Sequence, residues 1–198
     1  MKYILEVNDA TKKFSGLMAN EAITFQVEPG EVLGVVGPNG AGKTTLFNSL
    51  SGVHTLTRGS IVFNGTDITK MTSHQVCKLG IGRTFQIPQA ITTLTVEENV
   101  LIGSLLHTDN MRAAREHAAQ VVEFCGLSAL AKYPASILNV AQKKRLEIAR
   151  AYATRPKLLL LDETMAGLTA TERADSVELI RAINGEGVSI LTIEHNMD

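Results

Sequence analysis

The chain has 198 residues, 44% of them hydrophobic, which suffices for one real core in a single domain or a domain with a small subdomain. Nineteen Lys and Arg against 20 Asp and Glu leave a formal net charge of -1, so there is no electrostatic footprint for nucleic acid or anionic lipid, and nucleic-acid binding is disfavoured. No apolar run approaches a bilayer span and the N-terminus carries Lys2, Glu6 and Asp9 instead of a basic, then apolar leader, so any membrane role is peripheral. Cys77 and Cys125 read as free thiols of the cytosol.

Tyr3 to Val7 and Ala22 to Val27 are strand-like and flank the polar stretch Asn8 to Asn20; together they predict an antiparallel β layer. Phe14, in that stretch, could stack on a nucleobase or plug the core beneath a loop, and the residues alone favour the plug. Pro29-Gly30 turns the chain into an apolar strand, Val32 to Val36.

That strand runs into Gly37-Pro38-Asn39-Gly40-Ala41-Gly42-Lys43-Thr44, which fits the pattern G-x-x-x-x-G-K-[ST], and a helix is predicted from Thr44 to Leu50. Glycines let the backbone curl until successive N–H groups point at a phosphate, and the helix start adds its positive dipole end. Lys43 supplies charge to the outer phosphates, and the Thr44 hydroxyl is left for Mg²⁺. An ordinary Gly-rich turn has no reason to place Lys-Thr at the mouth of a helix. The phosphate-binding set is therefore Gly37 to Thr44 with Thr45, and the motif itself specifies a nucleoside triphosphate or similar phosphate.

Gly52 is a plausible helix C-cap, Ser60 to Phe63 a strand and Asn64-Gly65 a tight hairpin turn. Thr72 with Gln75 forms a capping box for a helix that Gly80 ends; Ile81 to Phe85 is the next strand, delivering Gln86 into a loop, where it is a surface amide or a reach toward a metal or an attacking water. Thr95 with Glu98 caps a helix through about Leu106, and Ala114, Ala118, Val121 and Cys125 mark another that ends at Gly126, making the middle of the chain a helical insert. Leu138 to Gln142 leads into a helix from Lys143 to Thr154. Lys143, Lys144 and Arg145 read most simply as its solvated start, although cations are disfavoured at a helix N-terminus unless an anion is near.

Leu158 to Leu161 is a buried parallel-type strand whose end presents Asp162 and Glu163. Asp162 suits a Mg²⁺ held through water, and Glu163 can accept a proton from an attacking water. Ala170, Ala174, Val177, Ile180 and Ile183 recur at helical spacing, and Val188 to Ile193 is a further strand ending in Glu194-His195 at the same sheet edge.

In type and order, Gly37 to Thr44, Gln86, Leu138 to Gln142, Asp162-Glu163, Ala166-Gly167-Leu168 and His195 resemble ABC-type ATPase cassettes. Lys12-Lys13-Phe14, Gly30-Glu31, Thr84-Phe85-Gln86, Arg145 to Arg150 and Ile193 to Met197 look like the ATP-binding subunits of branched-chain amino acid importers, with amide and urea importers close in style. The resemblance implies an α/β P-loop cassette of ABC type: a mixed sheet with an N-terminal antiparallel β layer and an inserted helical subdomain. The core would be residues 1–86 and 156–198 and the helical subdomain about 87–155.

It implies ATP and Mg²⁺ as cofactors, adenine stacked on Phe14, Gln86 coupling the metal to membrane subunits, and His195 at the γ-phosphate and hydrolytic water, with Thr44, Gln86 and Asp162 as the metal set. It implies partners too: a second cassette whose signature acts in trans, membrane permease subunits on whose cytoplasmic face the chain sits, and indirectly an extracytoplasmic solute-binding protein.

Three departures stand out. The family's Leu-Ser-Gly-Gly-Gln signature appears as Leu138-Asn139-Val140-Ala141-Gln142; Asn139, Ala141 and Gln142 would meet the partner's nucleotide, with Ala141 costly if its backbone must be left-handed. Thr164 replaces the usual Pro after the catalytic Glu. The chain stops three residues past His195, so the C-terminal part of the usual cassette is expected to be missing. A regulatory cassette that clamps ATP without turnover, or a soluble cassette of the repair or translation kind, are the competing readings. Intact Glu163 and His195 speak against the first, and the absence of coiled-coil insertions or basic linkers against the second.

Overall fold

A computed structural model of the chain describes residues 2–194. Among them, the strands divide into two four-stranded sheets. In the antiparallel sheet β1 (Leu5–Phe14) pairs with β2 (Leu17–Val27) and with β4 (Arg58–Phe63), which folds back onto β5 (Thr66–Asp67). Asn64 and Gly65 turn that last hairpin with φ of 47° and 76°, the left-handed pair that a two-residue turn requires. The polar stretch Asn8 to Asn20 is not a loop. It is the facing halves of β1 and β2 joined at Ser15-Gly16, and register shifts between Val7 and Ala10 and between Ala10 and Lys13 break the two-residue alternation that would have exposed it as strand.

The second sheet is parallel, in the order β3-β8-β7-β6, where β3 is Val32–Val36, β6 is Ile81–Arg83, β7 is Leu158–Asp162 and β8 is Ser189–Glu194. The predicted strand Ile81 to Phe85 ends at Arg83, although the Thr84 N–H still reaches the Leu160 carbonyl at 2.9 Å. Both faces of β7 are covered, which is why its sequence is an unbroken leucine run. Leu158 and Leu160 pack with Phe47, Leu50 and Phe63; Leu159 and Leu161 pack with Leu146, Val121 and Ile183. Each fully buried leucine is worth about 1.5–3 kcal/mol, so this strand anchors both cores.

On the first face lies α1 (Lys43–Leu50), with α2 (Ser73–Leu79) nearby; on the second lie α3 (Val96–Ser104), α4 (Met111–Phe124), α5 (Val140–Tyr152) and α6 (Ala170–Gly185). The capping boxes Thr72/Gln75 and Thr95/Glu98 form as the residues predict, and Gly80 at φ 112° closes α2. Helix α5 begins three residues before the predicted Lys143, because Asn139 caps it: the Gln142 N–H donates to Asn139 Oδ1 at 2.8 Å and Gln142 Oε1 accepts from the Asn139 N–H. Helix α6 buries Leu179 and Ile183, while Ala174 and Val177 of its predicted apolar stripe face solvent.

The register aligns the carboxyl ends of the parallel strands. Val36 stands opposite Glu194, Ile193 opposite Asp162, and Arg83 opposite Leu160. The segments that follow β3, β6 and β7 thus leave from one edge, where ligands of open α/β sheets bind.

Candidate functional site

At that edge the loop after β3 curls over itself. Lys43, 8% exposed, donates from Nζ to the carbonyls of Gly37 (2.5 Å) and Pro38 (2.9 Å). Gly40 and Gly42 have φ of 82° and 84°, the left-handed turns that point backbone N–H groups inward. Gly42 admits no side chain: a Cβ there would lie 2.1 Å from the Ala19 carbonyl oxygen and 2.6 Å from Asn20 Nδ2. Asn20, from β2, donates to the Gly42 carbonyl at 3.1 Å. Nothing in the motif points to that brace across the two sheets.

A cavity of about 450 Å³ opens over the loop, lined by Asn39, Gly40, Ala41, Gly42, Lys43, Thr44 and Thr45, and also by Phe14, Gln86 and Glu163. Residues from β1, the β6 loop and the end of β7 are therefore brought to the glycine-rich loop. Phe14 is not the core plug its residues favoured: it is 38% exposed at the cavity rim, edge-on to His54 at 5.2 Å with Lys12 Nζ 4.8 Å from its ring centre.

Asp162, the last residue of β7, is 1% exposed, with Oδ2 paired to Arg83 Nη2 at 3.2 Å. Its Oδ1 is buried and has no hydrogen-bond partner among the described residues. Burial pushes this carboxyl up, and the Arg83 guanidinium opposes the shift. Arg83 is held in turn by Asn48 (2.7 Å) and Ser51 (2.9 Å) of the loop helix, so the pair ties α1 to β7. Glu163, 7% exposed, sits at φ 51°, a left-handed backbone rare for a non-glycine residue and common at functional sites. Gln86 Nε2 donates to its Oε2 at 2.8 Å.

Helix α5 supplies residues that sequence reasoning missed. Lys144 belongs to no solvated helix start: it is 8% exposed and donates to the Glu163 carbonyl at 2.8 Å. Burial lowers its ammonium, with Glu194, Glu163 and Glu147 pulling the other way. The buried Glu147 carboxylate accepts N–H groups from Gln89 (2.6 Å) and Phe85 (3.3 Å), bracketing Gln86, while Arg150 donates to the Gln89 carbonyl at 2.6 Å. A cation at a helix start without a local anion was the one available hint.

Asn139, Ala141 and Gln142 do not join the cavity. They line a separate cleft of about 550 Å³ between α5, the end of α4 and α6. Ala141 lies in the first turn of α5 and is not among the residues of positive φ, so the left-handed penalty does not arise. Thr164, where a Pro was expected from the resemblance, is buried, and its hydroxyl has no hydrogen-bond partner among the described residues. His195 lies outside the described residues. Cys77 and Cys125 are both free, the latter buried and its thiol pushed up to about 12. Among the described residues no helix is long and apolar enough to cross a membrane.

Comparison with known proteins agrees with this geometry. The ABC transporter family model matches residues 20–166. The chain is 38% identical to the high-affinity branched-chain amino acid transport ATP-binding protein BraF of Pseudomonas aeruginosa, over 98% of this chain and 82% of BraF, and 36% identical to LivG of Escherichia coli K12 with the same coverage. Among solved structures, an ATP-binding cassette of an ABC transporter in its ADP conformation superposes with a TM-score of 0.90 at 32% identity, over 100% of this chain and 83% of that one. Clostridium perfringens cbiO1, part of the transporter complex cbiONQ, does so with 0.90 at 28%, covering 100% of this chain and 80% of its own. Fold and site define a nucleotide-binding cassette. The chain belongs to the ABC transporter family.

Proposed function

We propose that the chain is the ATP-hydrolysing subunit of an importer for branched-chain amino acids or related small polar solutes, seated at the cytoplasmic face of the membrane. The observation that carries this is one cavity lined at once by Lys43, Thr44, Gln86 and Glu163. Lys43 exchanges its two carbonyl partners for the outer phosphates of ATP, and backbone N–H groups of residues 39–45, which line the cavity, hold the rest. Phe14 offers its exposed ring to adenine.

Thr44, Gln86 and Asp162 would hold Mg²⁺, and the buried Asp162 Oδ1, without a hydrogen-bond partner among the described residues, is the acceptor such an ion calls for. Bound there, Mg²⁺ neutralises charge on the phosphate oxygens. The Glu163 carboxylate takes a proton from water as the water oxygen bonds to the γ-phosphorus and the bond from that phosphorus to the β,γ-bridging oxygen breaks, leaving ADP and inorganic phosphate, with Gln86 holding that carboxylate and His195 assisting at the γ-phosphate.

The partners follow from the geometry that is left over. Asn139, Ala141 and Gln142, away from the chain's own cavity, meet the nucleotide of a second cassette. An apolar groove of about 380 Å³ beside the Gln86 loop, walled by Cys77, Phe85, Ile102 and Leu106, receives a segment of the permease, while the solute-binding protein acts on the far side of the membrane. Residues 87–155 form the helical subdomain between two core segments. The test is calorimetry of Mg-ATP binding to Lys43→Ala: binding is lost if the reading is right, and binding at parental affinity removes the phosphate loop from the account.

A further inference from the structure

Lys144 is a buried cation that lines no wall of the nucleotide cavity. A buried charge is costly unless specific partners hold it, and an apolar side chain of similar length would fill the space between α5 and β7 without that cost. Its hydrogen bond goes to the backbone carbonyl of Glu163, at 2.8 Å, while the carboxylates of Glu194, Glu163 and Glu147 favour its charge. That peptide has a left-handed φ of 51°, so its orientation sets where the Glu163 side chain points. Three residues along the same helix, hence on the same face, Glu147 holds the N–H groups of Phe85 and Gln89 on either side of Gln86. Both partners of the Gln86–Glu163 hydrogen bond therefore hang from one face of α5.

We propose that Lys144 is a positioning residue for hydrolysis. By holding the Glu163 carbonyl it aims the carboxylate at the nucleotide loop, and it ties that carboxylate to the helix whose first turn begins at Asn139. The inference rests on the reading of Glu163 as the base.

The test measures steady-state ATPase activity of the purified chain for Lys144→Met and Lys144→Arg, each with and without Glu163→Gln. Lys144→Met lowers kcat about tenfold or more with KM for ATP within about twofold, and Lys144→Arg restores most of it, because a guanidinium can donate to the same carbonyl. In the Glu163→Gln background Lys144→Met brings no further loss in residual rate, since the carboxylate it aims is gone. A merely structural residue lowers the rate by the same factor in both backgrounds and moves nucleotide affinity with it. That result, or parental kcat in Lys144→Met, overturns the proposal. Should the Met variant not fold, Lys144→Gln carries the same two-background comparison. Failure of the base reading shows separately, as parental turnover in Glu163→Gln alone.

Discussion

Gln86 Nε2 donates to Glu163 Oε2 at 2.8 Å across the mouth of the nucleotide cavity, joining the loop after β6 to the end of β7. An amide that gives its N–H to the carboxylate keeps its carbonyl oxygen as the end a cation would take, so one side chain can face both a base and a metal. The bond links the position of the Gln86 loop to that of the Glu163 carboxylate, and α5 holds both sides of it.

Gly42 and Gly40 both have left-handed φ, yet only Gly42 is blocked, by the Ala19 carbonyl; around Gly40 a Cβ meets nothing within 4 Å. Alanine at either position costs on the order of 1–2 kcal/mol for the backbone conformation alone. Gly42→Ala adds a backbone collision that only displacement of β2 or the loop relieves. Urea unfolding should show Gly42→Ala losing clearly more stability than Gly40→Ala, with Mg-ATP affinity falling in step; equal losses would contradict the brace.

Glu147 makes a pH prediction. Burial raises its carboxyl above the ordinary 4.5, against the two N–H bonds from Gln89 and Phe85 that favour its charge. The folded protein then keeps this proton to higher pH than the unfolded chain. Between 4.5 and the raised value the folded state binds more protons, so the contribution of Glu147 to stability declines as pH rises through that interval and is level above it. Unfolding free energies of parent minus Glu147→Gln, taken across that interval, should decline with pH and then flatten. A difference that climbs with pH would mean the carboxyl is lowered instead.

What could be read from the residues was what depends on near neighbours. The Gly37 to Thr44 loop is a local code, and Leu158 to Leu161 declares itself because a strand covered on both faces needs no polar alternation. The hairpin of β1 and β2 was hidden by its bulges, although Ser15-Gly16 is a turn signal. Lys144 and Glu147 were illegible for another reason. Their hydrogen-bond partners lie 19 residues away in one case and 58 and 62 in the other, so only the packing of α5 on the sheet reveals what holds them. Helix α6 was legible from its spacing, and Ile183 of that apolar set reaches the core, whereas Ala174 and Val177 keep the spacing without doing so.

The altered signature makes a gain-of-function prediction. Asn139→Ser, Val140→Gly and Ala141→Gly together keep a capping side chain and remove two exposed or half-exposed ones from the first turn of α5. The two glycines cost on the order of 0.5–1 kcal/mol each in helix stability. The urea midpoint should fall while ATPase activity of the purified chain rises, because backbone approach to the partner's phosphates is no longer blocked. No rise, or a parental chain already working at the rebuilt rate, would remove the support for pairing with a second, intact cassette.

The most direct measurement is of ATP binding and ATP turnover side by side in Glu163→Gln, which keeps the side chain's shape and its place beside Gln86 but loses the proton acceptor. Turnover should fall about 100-fold or more, equivalent to about 2.7 kcal/mol of barrier, while Mg-ATP binds at parental affinity and stays bound. Hydrolysis at the parental rate would contradict the account, because the carboxylate at the end of β7 would then have no part in the reaction.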